Sequence, residues 1–191
     1  MKKPSAGAAT NWPKPTRQEI VAAKGKSVPD VIAPELKILF CGINPGLYTA
    51  AVGHHFARPG NRFWPALHQA GFTSRQLSPF EERELLDLGY GVTNVVNRAT
   101  ATAEELTRDA LVAGAFELQE KVIRYRPRCL AVLGLGAYRI AFERKVAGPG
   151  RQGEMIGDSI IWVLPNPSGL NANYQLAHIV RLFRELRKAI A

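Results

Sequence analysis

Apolar positions fall into short unbroken runs separated by amphipathic stretches. Leu36 to Gly42, Cys129 to Leu133 and the segment from Ile160 to Leu164 are such runs. Their shortness and bulk predict buried parallel strands, since a strand covered on both faces shows no polar alternation. Gly91 to Asn97 predicts another short strand and turn. Helices are predicted from near Asn61 to before Gly71, over Pro79 to Leu88, and from Thr102 to about Tyr125. The last of these opens on a Thr102-x-x-Glu105 capping box and is stopped by Arg126-Pro127. A short helix follows Gly134-Leu135-Gly136 and runs through Phe142, and the Gly-rich stretch 148–153 is read as a loop. The final helix opens near Tyr174, with Leu176, Ile179, Val180, Phe183 and Leu186 as its apolar stripe and Arg181, Arg184, Arg187 and Lys188 on its wet side. Strands alternating with helices predict an α/β fold: a three-layer sandwich whose central, mainly parallel sheet is flanked by helices on both faces.

Two predicted strands end in the same chemistry. Gly42-Ile43-Asn44-Pro45-Gly46 follows the first run, and Pro165-Asn166-Pro167-Ser168-Gly169-Leu170 follows the last. Pro45 pushes Asn44 out of the helical region and so holds the amide in place. Ligands of open α/β sheets bind at the carboxyl edge of the strands. One Asn-Pro-Gly is ordinary turn punctuation; two such turns at strand ends predict a shared cleft. Between them, His54-His55-Phe56-Ala57-Arg58 through Trp64 concentrates aromatic, His and Arg side chains, which suits a binding surface or a core-lining loop.

The 191 residues suit one domain with a sizeable core. We expect residues 31–191 to form it. Residues 1–30 carry six Lys/Arg against two acids and four prolines, which predicts a basic, largely irregular extension with one helical turn at Arg17 to Ala23. Apolar residues make up 46% of the chain, as in globular proteins. No run approaches the roughly 18 apolar residues of a membrane span, and Lys2 and Lys3 precede no apolar stretch, so no secretory signal is expected. Cys41 and Cys129 both lie in apolar runs, which reads as two buried thiols in a reducing intracellular compartment, cytoplasmic and nucleoid-associated in a bacterium. No zinc set is present, and adjacent His54 and His55, with no carboxylate beside them in sequence, make a poor metal pair. Charge adds a partner: 25 Lys/Arg against 16 acids, net +9, favours a polyanion, most often nucleic acid. Gly148 to Gly153 matches G-x-G-x-x-G but precedes a strand instead of following one, so it is not a dinucleotide site. No Gly-x-Ser-x-Gly elbow occurs.

Gly42-Ile43-Asn44-Pro45-Gly46, Phe56-Ala57-Arg58-Pro59-Gly60-Asn61-Arg62-Phe63-Trp64 and Asn166-Pro167-Ser168-Gly169-Leu170, in that order, resemble the signature set of the mismatch-specific uracil-DNA and thymine-DNA glycosylases. The resemblance covers about residues 34 to 190. It implies a monofunctional DNA glycosylase, acting without metal or cofactor and expected as a monomer. The substrate would be uracil in G·U mismatches of double-stranded DNA, with thymine or ethenocytosine opposite G as further candidates.

By that resemblance Asn44 would position water at the anomeric carbon, with Asn97 a second catalytic candidate. Ile43, Tyr48, Thr49, Phe56, Asn94 and Asn166 would hold the extruded base, Phe56 by stacking. Ser168, Gly169 and Leu170 would enter the gap it leaves, Leu170 as an apolar wedge. Tyr48-Thr49 stands where small hydroxyl residues are usual, Asn94 where a Lys can occur, Asn97 where an acid is often found, and Asn171-Ala172 where a Ser-Arg pair is usual. The rival readings are a uracil glycosylase of another family with looser strand preference, and a non-catalytic mismatch binder.

Overall fold

The computed structural model describes Trp12 and residues 14–190. Its centre is a five-stranded sheet of β1 (Ile38–Gly42), β2 (Tyr90–Asn94), β3 (Cys129–Leu133), β4 (Gly150–Ile156) and β5 (Ser159–Leu164), in the order β2-β1-β3-β5-β4. The four strands other than β4 run parallel; β4 is antiparallel to β5. All five residues of β1 and all five of β3 are buried, which is why they lack polar alternation. Their side chains divide by parity. Ile38, Phe40, Ala131, Leu133, Trp162 and Leu164 face one core, and Leu39, Cys41, Leu130, Val132, Ile161 and Val163 the other.

Helices cover both faces, so the α/β sandwich is the observed architecture. On the first face lie α3 (Phe63–Gln69) and α7 (Leu176–Ile190), packed on one another. Phe40 is central there, with ring centroids 5.5 Å from Phe63, 5.7 Å from Phe72 and 5.9 Å from Phe183. On the second face lie α5 (Arg108–Tyr125) and α6 (Leu135–Ala141). The apolar stripe expected for the last helix is the side that α7 buries: Ile179, Val180, Phe183 and Leu186.

Several local expectations give way to tertiary constraints. The stretch read as a Gly-rich loop supplies the first half of β4, an edge strand whose side chains alternate between exposed and half-buried up to the buried Ile156. An edge needs no continuous apolar run. Thr102 and Glu105 do form a capping box, but it closes a 3₁₀ turn at Ala103–Glu105. Leu106 is extended, and Thr107 caps α5 by accepting from Ala110 N at 3.2 Å. Pro79 to Leu88 is divided into a 3₁₀ turn, Pro79–Glu81, and α4, Glu84–Asp87; the break falls at the buried Glu82. Leu47–Val52, for which the pattern predicts no element, is helix α2, ended by Gly53 at φ 81°.

The N-terminal stretch is not separate from the body where it is described. Helix α1 (Arg17–Ala22) opens on a Thr16–Glu19 capping box and lies against α2. Ala23 and Val28 are fully buried, and Val31 bridges Val92. Residues 1–11 of the expected basic extension lie outside the described residues.

Gly114, on the buried side of α5, marks a tight approach to the turn after β2. A Cβ there would lie 2.4 Å from Val95 O and 3.0 Å from Val96 Cγ2. Alanine gains about 1 kcal/mol in helix propensity, but a backbone carbonyl cannot swing aside, and overpacking costs about 1–3 kcal/mol. Gly114→Ala should therefore lower the melting midpoint by about 3–6 °C. Gly136→Ala in α6, where a Cβ meets nothing within 4 Å, should leave it unchanged or raise it; calorimetry of both variants checks the contrast.

Candidate active site

The carboxyl ends of β1, β2 and β3 open into a cavity of about 390 Å³, whose lining includes Gly42, Asn44, Asn94, Leu133 and Asn166. The loops after β1 and β5 bring the two Asn-Pro turns to it, as the doubled pattern predicts. A smaller cavity of about 240 Å³ at the other sheet edge, by Lys37, Tyr90 and Arg187, holds none of the sequence-predicted site residues.

The orientation of Asn44 is set by its neighbours. Its Nδ2 donates to Thr100 Oγ1 at 2.7 Å, Arg98 O at 3.0 Å and Pro45 O at 3.2 Å. A carbonyl only accepts, so the nitrogen must face Arg98, and the side-chain oxygen is turned the other way. Thr100 is 2% exposed and donates in turn to Thr102 O, so it receives the Asn44 hydrogen bond through its remaining lone pair. Asn44 thus presents a fixed acceptor to the cavity. Asn166 is fixed in the complementary sense. Its Oδ1 accepts from Ser168 N at 3.0 Å, which leaves the amide nitrogen as its presented group.

Behind them the wall is crowded. A Cβ on Gly42 would fall 2.6 Å from Asn94 Oδ1 and 3.4 Å from the Phe56 ring, so only glycine ends β1 here. Asn94 is 5% exposed and its Nδ2 has no protein partner. Phe56 stacks on Phe63 with centroids 4.1 Å apart, and its backbone φ is 54°. A bulky residue in that left-handed region is sparsely populated, and such strain concentrates at functional positions.

His55, part of the loop suspected of binding, also lines the cavity and is 1% exposed. Glu82 explains its pose. The Glu82 carboxylate accepts from His55 N at 2.8 Å and lies 3.1 Å from His55 Nδ1 and 2.8 Å from His54 Nδ1. An ionised carboxylate only accepts, so both Nδ1 atoms carry hydrogen in these contacts. His55 Nε2 is left buried without a protein partner. Sequence proximity gave the two histidines no acid; the fold supplies one from residue 82. Among the described residues no group of three or more His, Cys, Asp or Glu is arranged to hold a metal ion. Cys41 and Cys129 are buried and free, and burial drives both thiols upward, Cys129 to about 12.

The remaining predicted residues divide. Ile43 and Thr49 line the cavity; Tyr48, on the same helix as Thr49, does not. Ser168 and Leu170 line it, with Gly169 between them. Leu170 is 69% exposed, so it is not the core leucine that a post-turn position suggests. Asn97 is the correction. It is exposed, it is not among the lining residues, and its Oδ1 accepts from Val28 N at 3.0 Å. The cost of leaving the Val28 amide unpaired is met by Asn97, which ties the N-terminal segment to the loop after β2. Arg58, Asn61, Thr100 and Glu104 join the lining. Glu104 is the single acid among the described lining residues; Arg58 and Asn61 lie in the Phe56 to Trp64 motif, whereas Thr100 and Glu104 carry no local sequence signal.

A mainly parallel α/β sheet with an amide-lined cavity at its carboxyl edge defines an α/β protein with a polar ligand cleft. The family model of the uracil DNA glycosylase superfamily matches residues 29–187, and the chain belongs to that superfamily, whose members are DNA N-glycosylases. The solution NMR structure of a candidate uracil DNA glycosylase from Methanosarcina acetivorans shares the fold. Its TM-score is 0.56 at 20% identity, over 85% of this chain and 98% of that one. No helix among the described residues is long and apolar enough to cross a membrane.

The buried carboxylate makes the site acid-sensitive. Burial alone raises the Glu82 pKa, but hydrogen bonds from His55 and His54 outweigh it and hold the group below its ordinary 4.5. A folded pKa below the unfolded one contributes stability above the unfolded value, and that contribution is lost as pH falls through the folded one. Glu82→Gln should cost about 1.5–3 kcal/mol at neutral pH. The gap to wild type should narrow as pH falls below about 4.5, which urea titrations across pH 3–7 measure.

Proposed function

We propose that this protein extrudes uracil from G·U mismatches in double-stranded DNA and hydrolyses its N-glycosidic bond, leaving an abasic site. Thymine or ethenocytosine opposite G would be secondary substrates. It would work as a monofunctional glycosylase, as a monomer and without a cofactor. The observation that carries this reading is the Asn44 amide at the cavity, its nitrogen engaged by Thr100, Arg98 and Pro45 so that its oxygen is the acceptor left over.

An amide is not a useful base near neutral pH, so Asn44 acts by orientation. Its oxygen accepts a hydrogen from a water and aims the water's lone pair at C1′ of the deoxyribose. The C1′–N1 bond breaks with its electron pair leaving on uracil; water oxygen bonds C1′, and the water proton passes to solvent or to the departing base. Developing negative charge on uracil is met by donors already in place: the Asn166 amide nitrogen and the orphaned Asn94 Nδ2. Phe56, braced from behind by Phe63, offers its ring to the extruded base, and Leu170 fills the vacated step. Asn97, engaged with Val28, is left out of the chemistry. The net charge of +9 supports a duplex partner held largely through phosphates.

Asn44→Ala should lower single-turnover excision from a G·U duplex by about 10²–10⁴-fold while mismatch binding and melting temperature stay near wild type. Asn44→Asp, of the same shape and able to take a proton, should retain more activity than Asn44→Ala. Excision is read as alkali-labile strand breaks. Near-normal cleavage by Asn44→Ala sinks the mechanism, and a wild-type protein that shifts the mismatch duplex without producing breaks is a binder.

A further inference from the structure

The insertion loop, residues 165–175 between β5 and α7, has no regular structure, yet it must present Leu170 as a wedge. Most of its hydrogen bonds are internal. Asn166 Oδ1 accepts from Ser168 N, Ser168 Oγ from Leu170 N, Asn166 O from Asn171 Nδ2 and Asn171 Oδ1 from Asn173 N. Such short-range contacts shape the loop without fixing it to the body. Among the described residues, every hydrogen bond tying residues 167–174 to the chain outside the loop comes from one residue, Arg62.

Its backbone N donates to Pro167 O at 2.8 Å. Its guanidinium donates from Nη1 to Asn171 O at 2.9 Å and Tyr174 O at 2.6 Å, and from Nη2 to Gly169 O at 3.2 Å. Only a planar fork with several fixed N–H directions reaches three carbonyls at once. The approach is close: a Cβ on Gly169 would lie 2.6 Å from Gly60 O. Arg62 is also next in sequence to Phe63, which backs the Phe56 ring, so a single segment carries both the stacking surface and the tie to the insertion loop.

We propose that Arg62 is a positioning residue that holds the Gly169-Leu170 tip ready for insertion, so that the base pocket and the wedge enter DNA as one preorganised body. This rests on the glycosylase reading above, in which Leu170 fills the vacated step. A loop ordered before binding does not lose its conformational freedom on the DNA, so affinity for the mismatch rises. The effect belongs to the fork, not to the positive charge.

The test is fluorescence anisotropy on G·U and fully paired duplexes with wild type, Arg62→Ala, Arg62→Lys, Leu170→Ala and the Arg62→Ala/Leu170→Ala double variant. Arg62→Ala should weaken G·U binding about tenfold with paired duplex little changed. Arg62→Lys, which keeps the charge and stays closest to the native fold, should not restore it. The double variant should bind no more weakly than Leu170→Ala, because the brace acts through the wedge. Wild-type binding by Arg62→Lys, or additive losses in the double variant, overturns the brace. Leu170→Ala binding the mismatch like wild type instead removes the wedge itself, and with it that part of the proposed function.

Discussion

The cleft depends on which way one amide faces. Asn44 Nδ2 is held by Arg98 O and Thr100 Oγ1, groups on the loop that leaves β2, while Asn44 itself leaves β1. The clamp closes only if β1 and β2 pair so that Gly42 lies opposite Asn94. That register rests on side chains buried on both faces of β1, with Phe40 on one side and Leu39 and Cys41 on the other. A slip of one residue would exchange the faces of the strand and turn the amide away. Core packing and the orientation of a single polar atom are thus one constraint.

The cleft separates its charges. The carboxylate behind its wall, Glu82, is buried and bound to the backbone and imidazole of His55, while Glu104 is the acid of the described lining. Two buried side-chain nitrogens of lining residues, Asn94 Nδ2 and His55 Nε2, have no protein partner. Unpaired polar atoms in a buried wall are costly, and a ligand that pairs them recovers the loss. In the reading proposed here that ligand is the base, and its departing negative charge meets donors that need no rearrangement. Rigidity continues outward through Arg62, which docks an otherwise self-contained loop onto the segment that carries Phe56 and Phe63.

Residues 36–42, 129–133 and 160–164 declare themselves as strands because burial on both faces demands uninterrupted apolar side chains, and that demand is local. The stripe of α7 is equally plain, since helical period and one buried side suffice to write it. The doubled Asn-Pro turn was readable for a similar reason: a proline restricts the residue before it wherever it occurs. By contrast β4 leaves no apolar trace, because an edge strand is satisfied by pairing along one side. The Pro79 to Leu88 stretch looks continuous in sequence, yet it divides at Glu82, a carboxylate engaged by histidines 27 and 28 positions away.

What the sequence determined by itself was therefore the class of fold, the strand ends and the presence of two fixed amides at one edge, all consequences of burial period and backbone restriction within a few residues. Only the tertiary structure decided which partners those amides meet. Asn97 resembles Asn44 in type and in its place past a strand, yet one turns to Val28 and the other to the cleft. Thr100 and Glu82 carry no motif at all, and Arg62, although it lies in the Phe56 to Trp64 motif, shows no sign there of its partners, because these roles are set by distances across the chain: 56 positions from Asn44, 27 from His55 and 107 from Gly169. Hydrogen bonds select by geometry in space, and that geometry exists only once the core has closed.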